Sequence, residues 1–162
     1  MIIVKKRLCI KCNKEQANFN FFGENLYGAV YQGTAEQVAS EIFNAWVNSP
    51  SNPTGRVHSA PEYQAAIDWA RRTGGVVVSD ECYLEFGKSV TPTSILSHTG
   101  GDNKNILAVH SLSKRSNLAG YRAALVVGDP QLIAQILEVR KHAGMMVPLP
   151  VQKAMIAALS DS

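Results

Sequence analysis

Lys114 has more chemistry gathered around it than any other residue of this sequence. It sits in Ser111-Leu112-Ser113-Lys114-Arg115-Ser116-Asn117-Leu118-Ala119-Gly120-Tyr121-Arg122, directly after the apolar run Ile106 to Val109. A lysine amine must be neutral to attack a carbonyl, so a Schiff-base lysine is usually sheltered at the end of a buried strand, where desolvation and nearby cations lower its pKa. Ser111, Ser113 and Arg122 offer hydroxyls and a guanidinium that could bind a phosphate beside it. Taken alone, the plainer reading is a solvated lysine in a loop that follows a strand.

Two more apolar runs end in polar groups of complementary kinds. Ala45-Trp46-Val47 leads into Asn48-Ser49-Pro50-Ser51-Asn52-Pro53-Thr54-Gly55, a turn in which the following proline is expected to keep Asn52 extended. Val76 to Val78 leads into Ser79-Asp80-Glu81-Cys82-Tyr83, which sets a carboxylate and a phenol three residues apart. A buried aspartate needs a cationic partner, and a protonated pyridine nitrogen would serve. That pair would keep the ring cationic, able to accept electrons from a substrate carbanion. Tyr83 and Asn52 could both donate to the ring's phenolic oxygen. Each segment also has a bland reading, as an Asn-Pro turn, a helix-capping Asp80 or a half-buried Tyr83. Together the three supply what one face of pyridoxal 5'-phosphate requires: an amine for the aldehyde, an anion for the ring nitrogen, donors for the oxygen, and hydroxyls with a cation for the phosphate.

The elements that must position these groups are legible as an α/β domain of parallel strands and crossover helices. In open sheets of this kind, ligands bind outside the carboxyl ends of the strands, where residues from separate strands meet. Strands are expected at Ala45 to Val47, Val76 to Val78, Ile106 to His110 and Ala123 to Val127. Ser59-Ala60-Pro61-Glu62 is a capping box that opens a helix, with Tyr63, Ala66, Ile67 and Ala70 on its apolar face and Gly74 and Gly75 at its end. Asp129 and Pro130 open another, with Leu132, Ile133, Ile136 and Leu137 as its buried stripe and Arg140, Lys141 and His142 at its C-terminal end. Val151, Ala154, Met155, Ala158 and Leu159 mark a last helix.

Residues 1–44 differ in character from residues 45–162. Phe19, Phe21, Phe22, Tyr27 and Tyr31 lie among polar residues without a sustained period, although Thr34 to Phe43 has the pattern of a short helix capped by Thr34 and Gln37.

The chain has 162 residues, 46% hydrophobic and 18% charged, a globular composition with enough apolar content for a core. Its net charge of +3 is spread along the sequence and gives no case for nucleic-acid or membrane partners. The one basic cluster, Lys5, Lys6, Arg7, Lys11 and Lys14, lacks interleaved aromatics and reads as a solvated N-terminus. Three cysteines are too few for a secreted disulfide framework and favour a reducing, cytoplasmic setting. Cys9-x-x-Cys12 lacks a second ligand pair, so no metal site is expected, and Cys82 reads as a small buried filler.

With these residues in view, Asn48 to Gly55, Ser79 to Tyr83 and Ser111 to Arg122 resemble, in order and spacing, the motifs of fold-type I, class I/II aminotransferases. The wording of Trp46 to Val57, Ala108 to Ala123 and Glu138 to Pro148 is similar to succinyldiaminopimelate aminotransferases. The resemblance implies part of a pyridoxal-phosphate-dependent transferase large domain: three layers, with a mostly parallel sheet and helices on both faces. It implies that Lys114 holds the cofactor through an imine bond and shuttles a proton to the substrate. It also implies that Asp80 pairs with the ring nitrogen, Asn52 and Tyr83 contact the ring oxygen, and Ser111, Ser113 and Arg122 hold the phosphate. Substrates would be amino acids and 2-oxo acids, with N-succinyl-LL-2,6-diaminopimelate and 2-oxoglutarate as the expected pair in lysine and diaminopimelate biosynthesis. Full-length members would be homodimers.

Family members are longer than this chain. They carry an upstream glycine-containing phosphate loop, a ring-stacking aromatic and a substrate-binding arginine in a C-terminal small domain, none of which can be placed here. The chain is therefore expected to be a truncated form of doubtful activity. The competing expectations are a β-eliminating C–S lyase, which would use the same electron sink, and a non-catalytic remnant.

Overall fold

The computed structural model describes residues 44–144 and 146–161. The Cys9–Cys12 pair, the basic cluster and the helix expected over Thr34 to Phe43 lie outside them. Among the described residues the sheet has four strands in the order β1 (Asn44–Asn48), β2 (Val76–Asp80), β3 (Ile106–Ser111) and β4 (Ala124–Gly128). The first three are parallel, with Trp46 beside Val78 and Val78 beside Leu107.

The β1–β2 crossover is α1 (Ala60–Thr73). At its start the Glu62 carboxylate accepts from the Ser59 N–H at 2.9 Å and from the Ser59 hydroxyl at 2.9 Å, while Pro61 fits a turn whose N–H groups lack helical partners anyway. At its end Gly74 takes the left-handed conformation, φ 71°, and its N–H returns to the Ala70 carbonyl at 2.9 Å. The helix buries Tyr63, Ile67, Trp69 and Ala70. These pack with Ala45, Val77, Ile95, Ile106 and Ala108 as the core. Complete burial of a side chain the size of Ile67 contributes about 1.5–3 kcal/mol.

Two connections depart from the alternation of strand and helix expected from the sequence. Between β2 and β3 the described chain has two short 3-10 turns, Leu84–Phe86 and Ile95–His98, in place of an α-helix. Between β3 and β4 it reverses through the one-turn helix α2 (Leu112–Arg115) and the 3-10 turn Ala119–Tyr121, with Leu112 N–H bonded to the Ala123 carbonyl at 3.2 Å. That path is too short for a crossover, so β4 runs antiparallel to β3, pairing Ala108 with Val127 and Ser111 with Ala124. Gly128 ends β4 at φ 138°, where a Cβ would run into the Ile106 carbonyl.

Asp129 then caps α3 (Pro130–Ala143): Oδ1 accepts from Gln131 N–H at 2.8 Å and Leu132 N–H at 3.3 Å. Oδ2 accepts from Asn105 N–H at 2.7 Å, tying the cap to the start of β3. The stripe expected to be buried on α3 is not. Leu132, Ile133 and Ile136 are half-buried and Leu137 is exposed, because β4 is the sheet element with which α3 makes its main contacts. On α4 (Leu149–Ser160), Val151, Ala154, Met155 and Ala158 are half-buried, whereas Leu149, Ile156 and Leu159 are exposed.

Candidate active site at the strand ends

Strand register brings the chemistry together. Asn48 lies beside Asp80 and Asp80 beside Val109, so the ends of β1, β2 and β3 stand level. The pairing runs past them, with Ser49 N–H on the Asp80 carbonyl at 3.1 Å and Glu81 N–H on the Val109 carbonyl at 2.9 Å. The loop after β1 is braced internally: Ser51 N–H meets the Arg56 carbonyl at 2.9 Å, and buried Ser49 Oγ accepts from His58 N–H at 2.9 Å. The Ser49–Pro50 and Asn52–Pro53 bonds in it are cis.

From that loop the Asn52 amide donates to the Tyr83 phenol oxygen at 3.2 Å. A phenol that accepts in this way keeps its own hydrogen for another acceptor, so amide and phenol form a paired donor. Lys114 Nζ stands 5.9 Å from the centroid of the same Tyr83 ring, within cation–π range. Phe86 meets that ring edge-on, with centroids 5.9 Å apart at 72°. Asn52, Tyr83 and Lys114, which come from three separate strand ends, are thus directly associated.

Asp80 is half-buried at the end of β2, where its Oδ1 accepts from Cys82 N–H at 3.2 Å. Cys82 is also half-buried rather than fully so. Burial first, and then the hydrogen bond and charge of Asp80, push its thiol up to about 12, so at neutral pH it is a thiol and not a nucleophile. Ser111 Oγ caps α2 by accepting from Ser113 N–H at 3.2 Å, and both serines are half-buried. Arg122 is exposed in the left-handed region, φ 53°, and one guanidinium N–H donates to the Ala119 carbonyl at 2.9 Å. The remaining guanidinium donors are available to an anion.

Lys114 departs from the expectation of a sheltered amine. It is exposed, because α2 is a single turn that buries Leu112 and turns Lys114 and Arg115 outward.

Two polar residues that the sequence reading did not single out are buried or half-buried beside the site. Glu81 is 2% exposed; its Oε1 accepts from Ile95 N–H at 2.8 Å and its Oε2 lies 3.3 Å from His110 Nε2. The available signal was alternation: Glu81 and His110 neighbour Asp80 and Ser111 and therefore point to the opposite face. They line a cavity of about 320 Å³ with Leu112, Leu125 and Leu159 among its other walls.

The donor set suits pyridoxal phosphate: Lys114 for the aldehyde, the Asp80 carboxylate for a cationic ring nitrogen, the Asn52–Tyr83 pair for the ring oxygen, and Ser111, Ser113 and Arg122 for the phosphate. The best-defined part of that fit is the Asn52–Tyr83 bond, which unites two of the expected oxygen ligands.

Comparison with known proteins gives the same direction. A family model described as aminotransferase class I and II matches residues 27–162. The chain is 59% identical over 118 residues to the 4-dedimethylamino-4-oxo-anhydrotetracycline transaminase OxyQ of Streptomyces rimosus, covering 72% of this chain and 33% of the relative. It is 58% identical over 118 residues to a probable aminotransferase of Mycobacterium tuberculosis, covering 72% of this chain and 28% of the relative. Among solved structures, a probable N-succinyldiaminopimelate aminotransferase from Thermus thermophilus superposes with a TM-score of 0.74 at 25% identity, over 85% of this chain and 38% of that one. The chain thus spans about a third of the length of the curated relatives it matches.

Proposed function

The chain belongs to the class I and II aminotransferases, whose members depend on pyridoxal phosphate, and from that premise we propose that it carries the cofactor half of an amino-group-transfer site. When bound, the cofactor supplies an electron sink and a carrier for the amino group. In this reading the Lys114 amine would hold the cofactor through its aldehyde and would serve as the group that moves a proton to and from the substrate α-carbon. Asp80 keeps the ring nitrogen protonated, and Asn52 and Tyr83 orient the ring through its oxygen. Ser111, Ser113 and Arg122 bind the phosphate.

The observation that carries the reading is the meeting of Asn52, Tyr83 and Lys114 from three strand ends: a 3.2 Å hydrogen bond and an amine 5.9 Å from the same ring. Amino acids and 2-oxo acids as substrates, a homodimeric assembly and a cytoplasmic setting belong to the same proposal. Among the described residues no helix is long and apolar enough to cross a membrane.

The finer proposal is amino transfer between N-succinyl-LL-2,6-diaminopimelate and 2-oxoglutarate. The motif wording around Asn52 and Lys114 and the likeness to the Thermus structure support it. The identity to the Streptomyces transaminase favours a second reading, in which the acceptor is a ketone on a larger ring system.

The first test is optical. Titration with pyridoxal phosphate should produce the absorption band of a lysine-bound cofactor in the native chain and none in Lys114→Ala; identical spectra would overturn the site. Amino transfer from glutamate to the succinylated oxo acid, to a ring ketone, or neither, assayed beside release of pyruvate and carbon dioxide, then separates the substrate readings and distinguishes transfer from elimination.

A further inference from the structure

The backbone ladder between β2 and β3 ends with Glu81 N–H on the Val109 carbonyl at 2.9 Å, so beyond it side chains must hold the Asp80 and Ser111–Lys114 segments to each other. Register places Asp80 beside Val109, which puts Asp80, Val109 and Ser111 on one face of the sheet and turns Glu81 and His110 to the other. There the Glu81 side chain is wholly buried while the His110 side chain keeps 28% of its surface exposed. Their closest atoms, Oε2 and Nε2, are 3.3 Å apart, close enough for an ion pair but off the line of a straight hydrogen bond.

Glu81 is also tied to the core. Its Oε1 holds the N–H of Ile95, itself 0% exposed and part of the core cluster. A carboxylate removed from water in this way is costly unless it is paired, and the His110 imidazole is the polar side-chain group set against its second oxygen. The other charged groups on the cavity wall, Glu85 and Arg115, pair with each other at 3.5 Å, and Cys82 lies beside them. The cavity walls from β4 and α4 are Leu125, Val127 and Leu159, which carry no charge. The chain of contacts thus runs from the core through Ile95 and Glu81 to His110, the residue immediately before Ser111.

We propose that Glu81 and His110 are positioning residues: a clamp behind the sheet that sets the spacing between Asp80 and the Ser111–Lys114 turn. The clamp stands on the contacts just described; its consequence for cofactor affinity rests on the function proposed above. Two readouts on the full chain separate them.

In the absence of cofactor, His110→Leu should speed amide hydrogen exchange at Cys82, Tyr83 and Leu112 to Lys114 by about tenfold, as expected when a buried carboxylate loses its polar partner, and leave α1 unchanged. His110→Gln, which can still donate to Glu81, should stay within about threefold of the native rates. If His110→Leu does not fold, Glu81→Gln, which keeps an acceptor for Ile95 N–H and removes the charge, should show the same local acceleration. Unchanged exchange, or equal effects of leucine and glutamine at position 110, overturns the clamp.

With cofactor, the dissociation constant for pyridoxal phosphate should rise about tenfold in His110→Leu and recover in His110→Gln. An unchanged constant in His110→Leu also overturns the clamp as a positioning device. A native chain with no Lys114-dependent binding defeats the proposed function instead and leaves the exchange result to decide the clamp.

Discussion

From Asn44 to Ser111 the described chain holds most of its buried apolar side chains, whereas among the described residues from Ala124 to Ser160 no large apolar side chain is buried. Both stretches have a strand followed or preceded by a helix with a side-chain-capped N-terminus, α1 at Ser59 and Glu62 and α3 at Asp129, so capping does not cause the difference. In the first stretch α1 packs on β2, which is paired on both sides, and covers the edge strand β1 through Ala45; in the second, α3 packs on β4, the other edge of the described sheet, and buries no large side chain there. Asn52, Asp80, Tyr83 and Ser111 stand on the packed side, and Arg122 stands at the border of the open one. Lys114 is joined to the packed side through Leu112, which is 1% exposed. The groups proposed to contact the cofactor ring therefore stand on the packed part of the molecule, and the amine proposed to hold its aldehyde lies at the margin, two residues beyond buried Leu112.

The contrast is broken most directly at Ile67, which is 0% exposed within the core. Ile67→Ala should cost about 2–5 kcal/mol in chemical denaturation, the range for a cavity-forming core truncation. A cost below about 1 kcal/mol would mean that the packed half is less packed than its burial implies.

Asp129 is the exception on the open side, since it is 4% exposed. Burial alone would raise its pKa, but the N–H groups of Asn105, Gln131 and Leu132 and the charge of Lys104 outweigh burial and hold it below the ordinary carboxylate value. Its stabilisation is therefore complete above the ordinary carboxylate range and is lost as the pH falls through the lower folded value. Asp129→Ala should cost about 1–2 kcal/mol near neutral pH, and the difference from the native chain should shrink in acid. A pH-independent difference would assign the loss to packing.

Tyr83→Phe sharpens the comparison at the site itself. It deletes the acceptor of the Asn52 amide in an exposed setting, so stability should change by no more than about 0.5–1.5 kcal/mol. Cofactor affinity should fall by several-fold in the same titration. Loss of stability without loss of affinity would make the pair a loop brace.

The strands, and the position of the candidate residues at their ends, were legible because their signals are local. An apolar run followed by Asp80 and Tyr83, or by Ser111 and Lys114, places those groups at a strand end whatever surrounds them. The α1 boundaries were equally open to reading, since Glu62, Pro61 and Gly74 are stop and start signals in themselves. The direction of β4, the half-burial of the α3 stripe and the exposure of Lys114 were not legible. Each depends on what lies across from the segment, and a pattern such as Leu132, Ile133, Ile136 and Leu137 records which face is apolar without recording whether anything covers it. Glu81 and His110 were missed for a related reason: their pairing appears only when two strands are laid in register.

Ile156 tests the open side with the smallest expected effect. Its side chain is 65% exposed on α4, so its removal from water in the folded chain is slight and Ile156→Ser should leave stability within about 0.5 kcal/mol of native. The α4 N-terminus would hold regardless, because Gln152 closes that turn through the Val147 carbonyl at 2.6 Å and its N–H bonds the Pro148 carbonyl at 3.0 Å. Denaturation of both proteins over a range of chain concentrations makes the measurement decisive. A loss near 2 kcal/mol that grows with concentration would mean that a second chain covers Ile156 in solution. A loss of that size at every concentration would place the residue in a core of its own and erase the difference between the two halves.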